Sequence, residues 1–221
     1  MNYKKINMNE YKRIDHFNYF KSLAYPYVGI TCEVDITDFY NHVKEKNYPF
    51  FLSLLYCVNK ACNQIKEFRQ RIVDDEIIEY DYCPTSHTVS KEDDTYAYCT
   101  LEAKDSFEEY LKDAIRKHER AKNDGNIDET AEEALGLIFI STLPWVSYTS
   151  LIQPVPIPAD SNSRITWGKY SIKENRVTLP VSTLCHHALV DGKQLADFYK
   201  LLEKNLKVFV ENNEVCYEII C

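Results

Sequence analysis

The residues best suited to acid–base chemistry stand in one short stretch, Cys185-His186-His187-Ala188-Leu189-Val190-Asp191-Gly192. Histidine has an unperturbed pKa of about 6.5, so an imidazole can take up and return a proton at neutral pH. The stretch follows a strand-like run over 177–184 and precedes an amphipathic helical pattern, which indicates a loop that aims one imidazole. We expect His187 to act as a general base and His186 to support it, because consecutive side chains of an extended segment point to opposite sides. The alternative is a loop with two polar histidines and an aspartate that caps the next helix.

Helical and strand patterns alternate irregularly around this stretch. Strand patterns cover 27–34, 68–73, 76–80, 86–90, 96–101, 135–141, 147–152, 164–172 and 177–184, and helical patterns cover 10–23, 37–45, 49–64, 106–122 and 192–209. This order favours an α/β fold, a two-layer sandwich with a mixed β-sheet, over a doubly wound parallel fold. The polar segment 122–133 is expected to be an exposed loop, and three prolines keep 153–160 from being an interior strand.

Periodicity also predicts which faces of these elements are buried. The inward stripe of the last helix is Leu195, Phe198, Leu202, Leu206 and Phe209, and that of the charged helix 106–122 is Phe107, Tyr110, Leu111, Ala114 and Ile115. If 147–152 is a strand, Ser147 and Thr149 share one face while Ser150 shares the other with Tyr148.

Composition limits the classes of partner and the location. The 221 residues are expected to form one domain over 1–221, and the net charge of −8 argues against a nucleic-acid partner. No apolar run approaches about 18 residues, and none near the N-terminus fits a signal peptide, so we expect a cytoplasmic protein without a membrane partner. The 8 cysteines are scattered without a Cys-x-x-Cys pair, which favours reduced thiols and no metal site.

Further segments resemble one protein family, in the order in which that family has them. They are Tyr11-Lys12-Arg13-Ile14-Asp15-His16-Phe17, Val34-Asp35-Ile36-Thr37, Asn47-Tyr48-Pro49, Glu67-Phe68-Arg69 followed by Asp74-Asp75-Glu76, Leu143-Pro144-Trp145-Val146-Ser147-Tyr148-Thr149-Ser150, and Thr166-Trp167-Gly168-Lys169-Tyr170. With His-His-x-x-x-Asp-Gly, they resemble the type A chloramphenicol acetyltransferases, which are coenzyme A-dependent acyltransferases. The resemblance covers nearly the whole chain. It implies the two-layer sandwich of those acyltransferases, assembled as a homotrimer with active sites between subunits.

The resemblance implies transfer of an acetyl group from acetyl-coenzyme A, a co-substrate, to a hydroxyl of chloramphenicol without a metal. His187 matches the family's general base, Ser150 its oxyanion serine, and Thr166 a threonine that supports the tetrahedral intermediate. Asp191 matches an aspartate that pairs with an arginine, here Arg13, and so holds the loop that carries His187. If that pair is buried, losing one partner should cost roughly 3–5 kcal/mol, because the remaining charge is uncompensated. The alternative is two unrelated surface charges.

Three matches concern coenzyme A. Tyr170 and Lys169 match positions where the family places an aromatic ring against adenine and a cation near phosphate. Tyr48 matches another tyrosine that lines the pocket. An ordinary surface position is the alternative for the lysine–tyrosine pair, since such pairs are common on exposed strands.

Departures from the family pattern concern the acceptor. Phe20 stands where the family has an acceptor-pocket tyrosine, Lys193-Gln194 replace a Phe-His pair, and 151–158 replaces an Asn-rich stretch. A second expectation is therefore the same mechanism on another small alcohol or amine. A third is a catalytically silent protein that binds a ligand or partner with this fold, although the matching site residues argue against it.

Overall fold

Helices and strands alternate along the residues that the structure, a computed structural model, describes: 1–214 apart from 105, 126, 128 and 129. The helices are α1 (Ile14–Lys21), α2 (Thr37–Glu45), α3 (Phe50–Asn63), α4 (Phe107–Asp124), α5 (Ala131–Leu135) and α6 (Gly192–Glu214). The strands are β1 (Tyr3–Lys5), β2 (Tyr27–Asp35), β3 (Gln70–Val73), β4 (Glu76–Tyr80), β5 (Thr85–Ser90), β6 (Tyr96–Leu101), β7 (Ile138–Leu143), β8 (Arg164–Gly168), β9 (Ser171–Lys173) and β10 (Arg176–His186). Short 3₁₀ helices cover Met8–Glu10 and Lys66–Arg69.

The larger sheet is mixed, with the strand order β2-β10-β8-β7-β5-β6 and β9 paired to β10. Strand β7 runs parallel to both of its neighbours, β5 and β8, whereas β10 runs antiparallel to β2, β8 and β9. A smaller sheet has the order β1-β4-β3. Helix α6 packs against α2, α3 and β2, and α4 packs against β5 and β6. The prediction of an α/β sandwich with a mixed sheet is confirmed.

The two sides of the larger sheet differ in chemistry. On β8, Trp167 faces the helices, because its ring lies 5.6 Å from that of Phe51 on α3. Alternation along the strand therefore turns Thr166 to the opposite side. The residues paired with Thr166 on the neighbouring strands, Ser141 and Ser182, share that side. We call this side, marked by Ser141, Thr166 and Ser182, the polar face.

Several predicted elements agree closely with the structure. Helix α2 and strands β4 and β6 occupy the predicted residues. Helix α6 begins where predicted and continues five residues beyond Phe209, and all five residues of its predicted inward stripe are buried. The hairpin turn predicted at Asp74-Asp75 joins β3 to β4, with φ of 48° and 63° at the two aspartates.

Three predictions about local structure are wrong. The segment 147–152 is not a strand; it belongs to a connection without regular structure, from 144 to 163, that covers the polar face. Side chains hold this connection where a strand would use its backbone: the Tyr148 hydroxyl donates to the Thr166 carbonyl oxygen at 3.0 Å. The region 122–133 is not all loop, since α4 continues to Asp124 and α5 begins at Ala131. Ile115 is 44% exposed rather than buried.

Each helix among the residues described is too short or too polar to cross a bilayer.

Candidate active site

Two hydrogen bonds hold His187 in place, one from its backbone and one from its imidazole ring. The residue follows β10 directly, and its backbone N–H donates to the Pro26 carbonyl oxygen at 2.7 Å. Its Nδ1 lies 2.9 Å from the Val190 carbonyl oxygen. Because a carbonyl oxygen can only accept, Nδ1 carries the proton, and the neutral ring keeps its lone pair on Nε2. His187 is therefore set up to accept a proton at Nε2.

An aromatic ring supports this imidazole from one side. The ring of Phe20, on α1, is stacked on that of His187 with centroids 3.7 Å apart and planes 18° apart. Such a ring favours an imidazolium by cation–π attraction and prevents the imidazole from turning. Phe20, which the sequence assigned to the acceptor, thus contacts His187 directly.

His186 differs from its neighbour in burial and in protonation. It is 4% exposed, and its Nδ1 accepts a hydrogen bond from the Ala188 N–H at 3.2 Å. Burial lowers the pKa of His186 to about 4, although the nearby carboxylate of Asp160 acts in the opposite direction. His186 is therefore neutral at pH 7 and stabilises the turn that presents His187.

Asp191 caps the helix that follows the histidine loop. Its Oδ1 accepts from the Lys193 N–H at 3.1 Å, and its own N–H donates to Gln194 Oε1 at 3.2 Å. This reciprocal arrangement is a variant of the capping box, with the aspartate bonded to the second N–H of the helix instead of the third, and it satisfies backbone groups that α6 leaves without helical partners. The departure Lys193-Gln194 thus has a structural explanation: Gln194 completes the cap. Sequence reasoning missed this role, although Asp-x-x-Gln before an apolar stripe is its signal.

The predicted partner of Asp191 lies beside it. Arg13 Nη2 is 3.0 Å from Asp191 Oδ2, so the contact joins the start of α1 to the start of α6. The two side chains are 23% and 41% exposed, although Arg13 Nη2 itself is buried. Because water reaches and screens the Asp191 carboxylate, the pair should contribute about 0–1 kcal/mol rather than the larger figure for a fully buried pair.

The two hydroxyl residues of the predicted site lie in different surroundings. Thr166 is 2% exposed, and its hydroxyl donates to Gln153 Oε1 at 3.1 Å. Ser150 is exposed in the 144–163 connection. Because that connection is not a strand, alternation gives no reason to place Ser150 and Ser147 on opposite faces.

One copy of the chain does not bring Thr166 next to His187. Thr166 pairs with Ser182 on β10, and His187 follows five residues later along that strand direction. Five residues of extended chain span about 16 Å. His187 and this hydroxyl therefore lie at separate places along the sheet of one chain.

A large cleft lies on the helical side of the sheet. It has a volume of about 850 Å³ and opens between the start of α3, one side of α4 and the ends of β5, β7 and β8. Lys169 and Tyr170 line it, as the resemblance implies. Tyr170 also packs against Tyr40 and Phe50, with ring centroids 5.0 and 5.6 Å away. Tyr48 lies outside the lining and packs on Phe107, 5.0 Å between centroids.

The sequence patterns did not lead us to predict one wall of this cleft, which α4 forms. Ile115, His118, Glu119 and Lys122 of α4 line it. Their spacing of three and four residues puts them on one side of the helix, which is the signal that could have revealed them. The exposure of Ile115 follows, because it faces the cleft and not the core.

A smaller pocket of about 350 Å³ opens on the polar face. Its lining includes the hydroxyl residues Ser86, Thr88 and Ser141, together with Gln153 and Arg164. Thr88 lines the larger cleft as well, so the two cavities share a lining residue near the end of β5. The pairing of β5 with β7 ends just before it, at His87 and Ile140.

Arg164 gives this pocket a charged wall. Its guanidinium forms two hydrogen bonds with the Asp160 carboxylate, at 2.8 and 2.6 Å, and lies 5.3 Å from the centre of the Phe139 ring. Burial opposes its charge, but the bonds and attraction from Asp160 raise the pKa of Arg164 overall. The ion pair is thus a fixed polar feature of the pocket.

In the part of the chain that the structure describes, no three His, Cys, Asp or Glu side chains are grouped so as to hold a metal ion.

Comparison with solved structures defines the class of protein to which this fold belongs. A solved chloramphenicol acetyltransferase has a TM-score of 0.85 and 27% identity, over 93% of this chain and all of its own. The Azotobacter vinelandii dihydrolipoamide acetyltransferase has a TM-score of 0.65 at 17% identity, over 87% of this chain and 85% of its own, so it shares the fold. The architecture is that of this group of acyltransferases.

The family follows from the sequence comparison. The model of the chloramphenicol acetyltransferase family matches residues 1–203, and the chain belongs to that family. Chloramphenicol acetyltransferase 3 of Escherichia coli is 28% identical over 92% of this chain and 97% of its own. The chloramphenicol acetyltransferase of Clostridium butyricum is 29% identical over 92% of this chain and 94% of its own.

Proposed function

We propose that the chain works as one acyltransferase domain, which transfers an acetyl group from acetyl-coenzyme A to a hydroxyl of chloramphenicol and so inactivates the antibiotic. The observation that carries the proposal is the hydrogen bond from His187 Nδ1–H to the Val190 carbonyl, which leaves Nε2 as a proton acceptor. The substrate follows from membership of the family and from relatives that carry its name.

His187 has two tasks in this reaction. Nε2 takes the proton of the acceptor hydroxyl while the hydroxyl oxygen attacks the carbonyl carbon of the acetyl thioester. The resulting imidazolium then returns the proton to the sulfur that leaves. A positioned base of this kind contributes about 10²–10⁴-fold to the rate. Phe20, stacked on the ring, favours the imidazolium that forms between the two steps.

Two hydroxyls are assigned to the tetrahedral intermediate. We assign Ser150 as the donor to the developing oxyanion, a contribution of about 10²–10³-fold for one such donor. We assign Thr166 to support of the same intermediate through its hydroxyl, which donates to Gln153 Oε1. Both assignments rest on the match to the family motifs.

The large cleft fits coenzyme A in size and chemistry. The ligand has an aromatic base, phosphates and a long amide arm, so it needs aromatic, cationic and apolar surfaces in one elongated site. Tyr170 and Phe50 offer aromatic faces, Lys169 and Lys122 offer cations, and Trp167 offers an apolar floor, all within the lining. We therefore assign this cleft to the co-substrate, with Tyr170 and Lys169 among its contacts and without Tyr48 as a lining residue.

The separation of Thr166 from His187 supports a site shared between copies of the chain. A homotrimer in which one copy's His187 reaches the polar face of the next would join the two halves. The connection that covers this face carries apolar side chains that one copy leaves in water: Trp145 is 78% exposed, and Ile152 and Ile157 are each 96% exposed. Such exposure is typical of surfaces that another protein covers. Sedimentation velocity tests the trimer, and a monomer would contradict it.

The polar-face pocket supports a second candidate function. The pocket is lined by hydroxyls, by the amide of Gln153, which bonds Thr166, and by Arg164, whose guanidinium is paired with Asp160. A site lined in this way discriminates by hydrogen bonding more than by apolar contact. The same mechanism on another small alcohol or amine acceptor, more polar than chloramphenicol, is therefore the alternative.

A thiol-release assay tests these proposals together. Purified protein is mixed with acetyl-coenzyme A, with and without chloramphenicol, and release of free thiol is followed with a thiol reagent. We expect release that depends on chloramphenicol and is lost in His187→Ala. Release with other hydroxyl compounds alone would favour the second candidate, and no release with any acceptor would contradict both. The cytoplasmic location stays a prediction, which cell fractionation tests.

A further inference from the structure

Two histidines stand side by side, and one of them belongs to the wall of the large cleft. His87, on β5, is 2% exposed, and His118, on α4, lines the cleft and is half-buried. His87 Nε2 lies 3.3 Å from His118 Nδ1. The Phe51 ring packs against both imidazoles, with centroids 4.9 and 6.1 Å away. Neither residue belongs to the motifs that indicate the family.

Both imidazoles are neutral at pH 7. Burial, together with a smaller effect of the adjacent His118, lowers the pKa of His87 to about 3. Burial also lowers the pKa of His118, while Glu119 raises it and Lys122 lowers it. Each ring therefore carries one N–H and one lone pair, and the two rings share a single hydrogen bond.

The position of the shared proton follows from the unpaired atom of His87. Its Nδ1 is buried and has no hydrogen-bond partner among the residues described. A buried N–H without an acceptor is rarer in proteins than an unused lone pair, because the unmade bond costs more. The proton of His87 is therefore on Nε2, which donates to His118 Nδ1. The proton of His118 must then be on its Nε2.

We propose that His118 is a further ligand-binding residue of the cleft, whose Nε2–H donates to an amide carbonyl oxygen of the pantetheine arm of acetyl-coenzyme A, and that His87 is a positioning residue that fixes its tautomer. The inference rests on the proposed function, because that function supplies the ligand. A carbonyl is the suitable partner for two reasons. The donor is uncharged, and the neighbouring lining, Phe51, Trp167 and Ile115, is apolar, whereas Lys122 and Lys169 supply the cations that phosphates need.

The first test is calorimetric titration of the purified wild-type protein and its variants with coenzyme A. His118→Phe keeps a ring of similar size but has no donor, and it should weaken coenzyme A binding about 5- to 10-fold. His118→Gln places an amide N–H near the position of Nε2 and should recover most of the affinity. His87→Phe leaves His118 free to change tautomer, so it should weaken binding by a smaller factor. Arg120→Gln, at an exposed position on α4 outside the lining, is the control and should bind as the wild type does.

The second test needs no variant. Nitrogen-15 NMR of the histidine side chains in the wild-type protein reports which ring nitrogen carries the proton. We expect Nε2–H for both His87 and His118, and a change at His118 when coenzyme A is added. An Nδ1–H form of His118, or unchanged affinity in His118→Phe, would overturn the inference while leaving the proposed function intact. Failure of the wild-type protein to bind coenzyme A would overturn both, and failure of thiol release despite binding would overturn only the proposed function.

Discussion

Asp191 offers a prediction whose size can be worked out from its contacts. Its carboxylate accepts from the Lys193 N–H at the start of α6 and faces Arg13 Nη2 at 3.0 Å. Loss of a helix cap costs about 1 kcal/mol, and loss of a partly exposed ion pair about 0–1 kcal/mol. Asp191→Ala should therefore lower the free energy of unfolding by about 1–2 kcal/mol. Asp191→Asn keeps the cap acceptor and should cost less than about 1 kcal/mol, as should Arg13→Ala.

Urea unfolding at one fixed protein concentration measures these changes, because an oligomer's stability depends on concentration. A double-mutant cycle of Arg13→Ala and Asp191→Ala isolates the pair. The double variant should cost less than the sum of the single variants, by no more than about 1 kcal/mol. Strict additivity would show that the two side chains do not interact. A coupling above about 3 kcal/mol would show instead that the pair is buried in the assembled protein and would refute the assessment made from its exposure.

Activity should separate the two roles of Asp191. The residue follows Val190, whose carbonyl holds His187 Nδ1, so a disordered cap should misplace the imidazole. We expect Asp191→Ala to reduce turnover together with stability, and Asp191→Asn to retain most of both. Equal losses in the two variants would mean that the charge, and not the cap, positions the loop.

Three other predictions follow from individual side chains. Ser150→Ala should lower turnover about 10²-fold in steady-state assays while Ser147→Ala has a mild effect; the reverse result would show that the other serine stabilises the oxyanion. Phe20→Tyr should raise the specificity constant for chloramphenicol if a hydroxyl at this position contacts the acceptor, and an unchanged constant would exclude that contact. His186 stays neutral in the folded protein down to about pH 4, whereas the unfolded chain binds a proton below about pH 6.5. His186 alone should therefore lower the stability of the folded state by up to about 1.4 kcal/mol per pH unit as the pH falls through this window, in denaturation measured at several pH values. His186→Asn should reduce that slope, and an unchanged slope would assign it to other groups.

The parts of the fold that sequence predicts well are those with regular periodicity. In α6, apolar residues recur at helical spacing, and the helix buries the whole predicted stripe. Strands β4 and β6 carry strong strand propensity between clear turns, and their bounds agree with the prediction. Local preference and tertiary packing agree in these elements, so the pattern alone suffices.

The wrong predictions of local structure have a common physical cause. At these positions tertiary contacts, and not local sequence patterns, determine the structure. The segment 147–152 has strand-like residues, but it lies across the polar face, held by Tyr148 and Gln153 side chains instead of by a backbone ladder. Ile115 repeats with the core positions of α4 but faces a cleft, whose existence depends on how α4 sits against β5. Helical periodicity cannot tell an apolar cleft wall from a core.

In the candidate site, too, the sequence predicts contacts between neighbouring residues but not contacts between distant elements. The motif spacing identifies His187 and Asp191, because their contacts are local: Val190, Lys193 and Gln194 are all within a few residues. The separation of Thr166 from His187 depends on the pairing of β8 with β10, which no motif encodes. The His87–His118 pair likewise joins a strand to a helix that is distant in sequence.

The central claim is that His187 Nε2 takes the proton of an acceptor hydroxyl during acetyl transfer. The most direct test is the rate of chloramphenicol-dependent thiol release from acetyl-coenzyme A, compared between the wild-type protein and folded His187→Ala, with the acetylated product identified by mass spectrometry. The account predicts acetylated chloramphenicol from the wild type and a rate lower by at least about 10²–10⁴-fold in the variant. A variant that retains near-normal turnover while its unfolding curve matches the wild type would contradict the account.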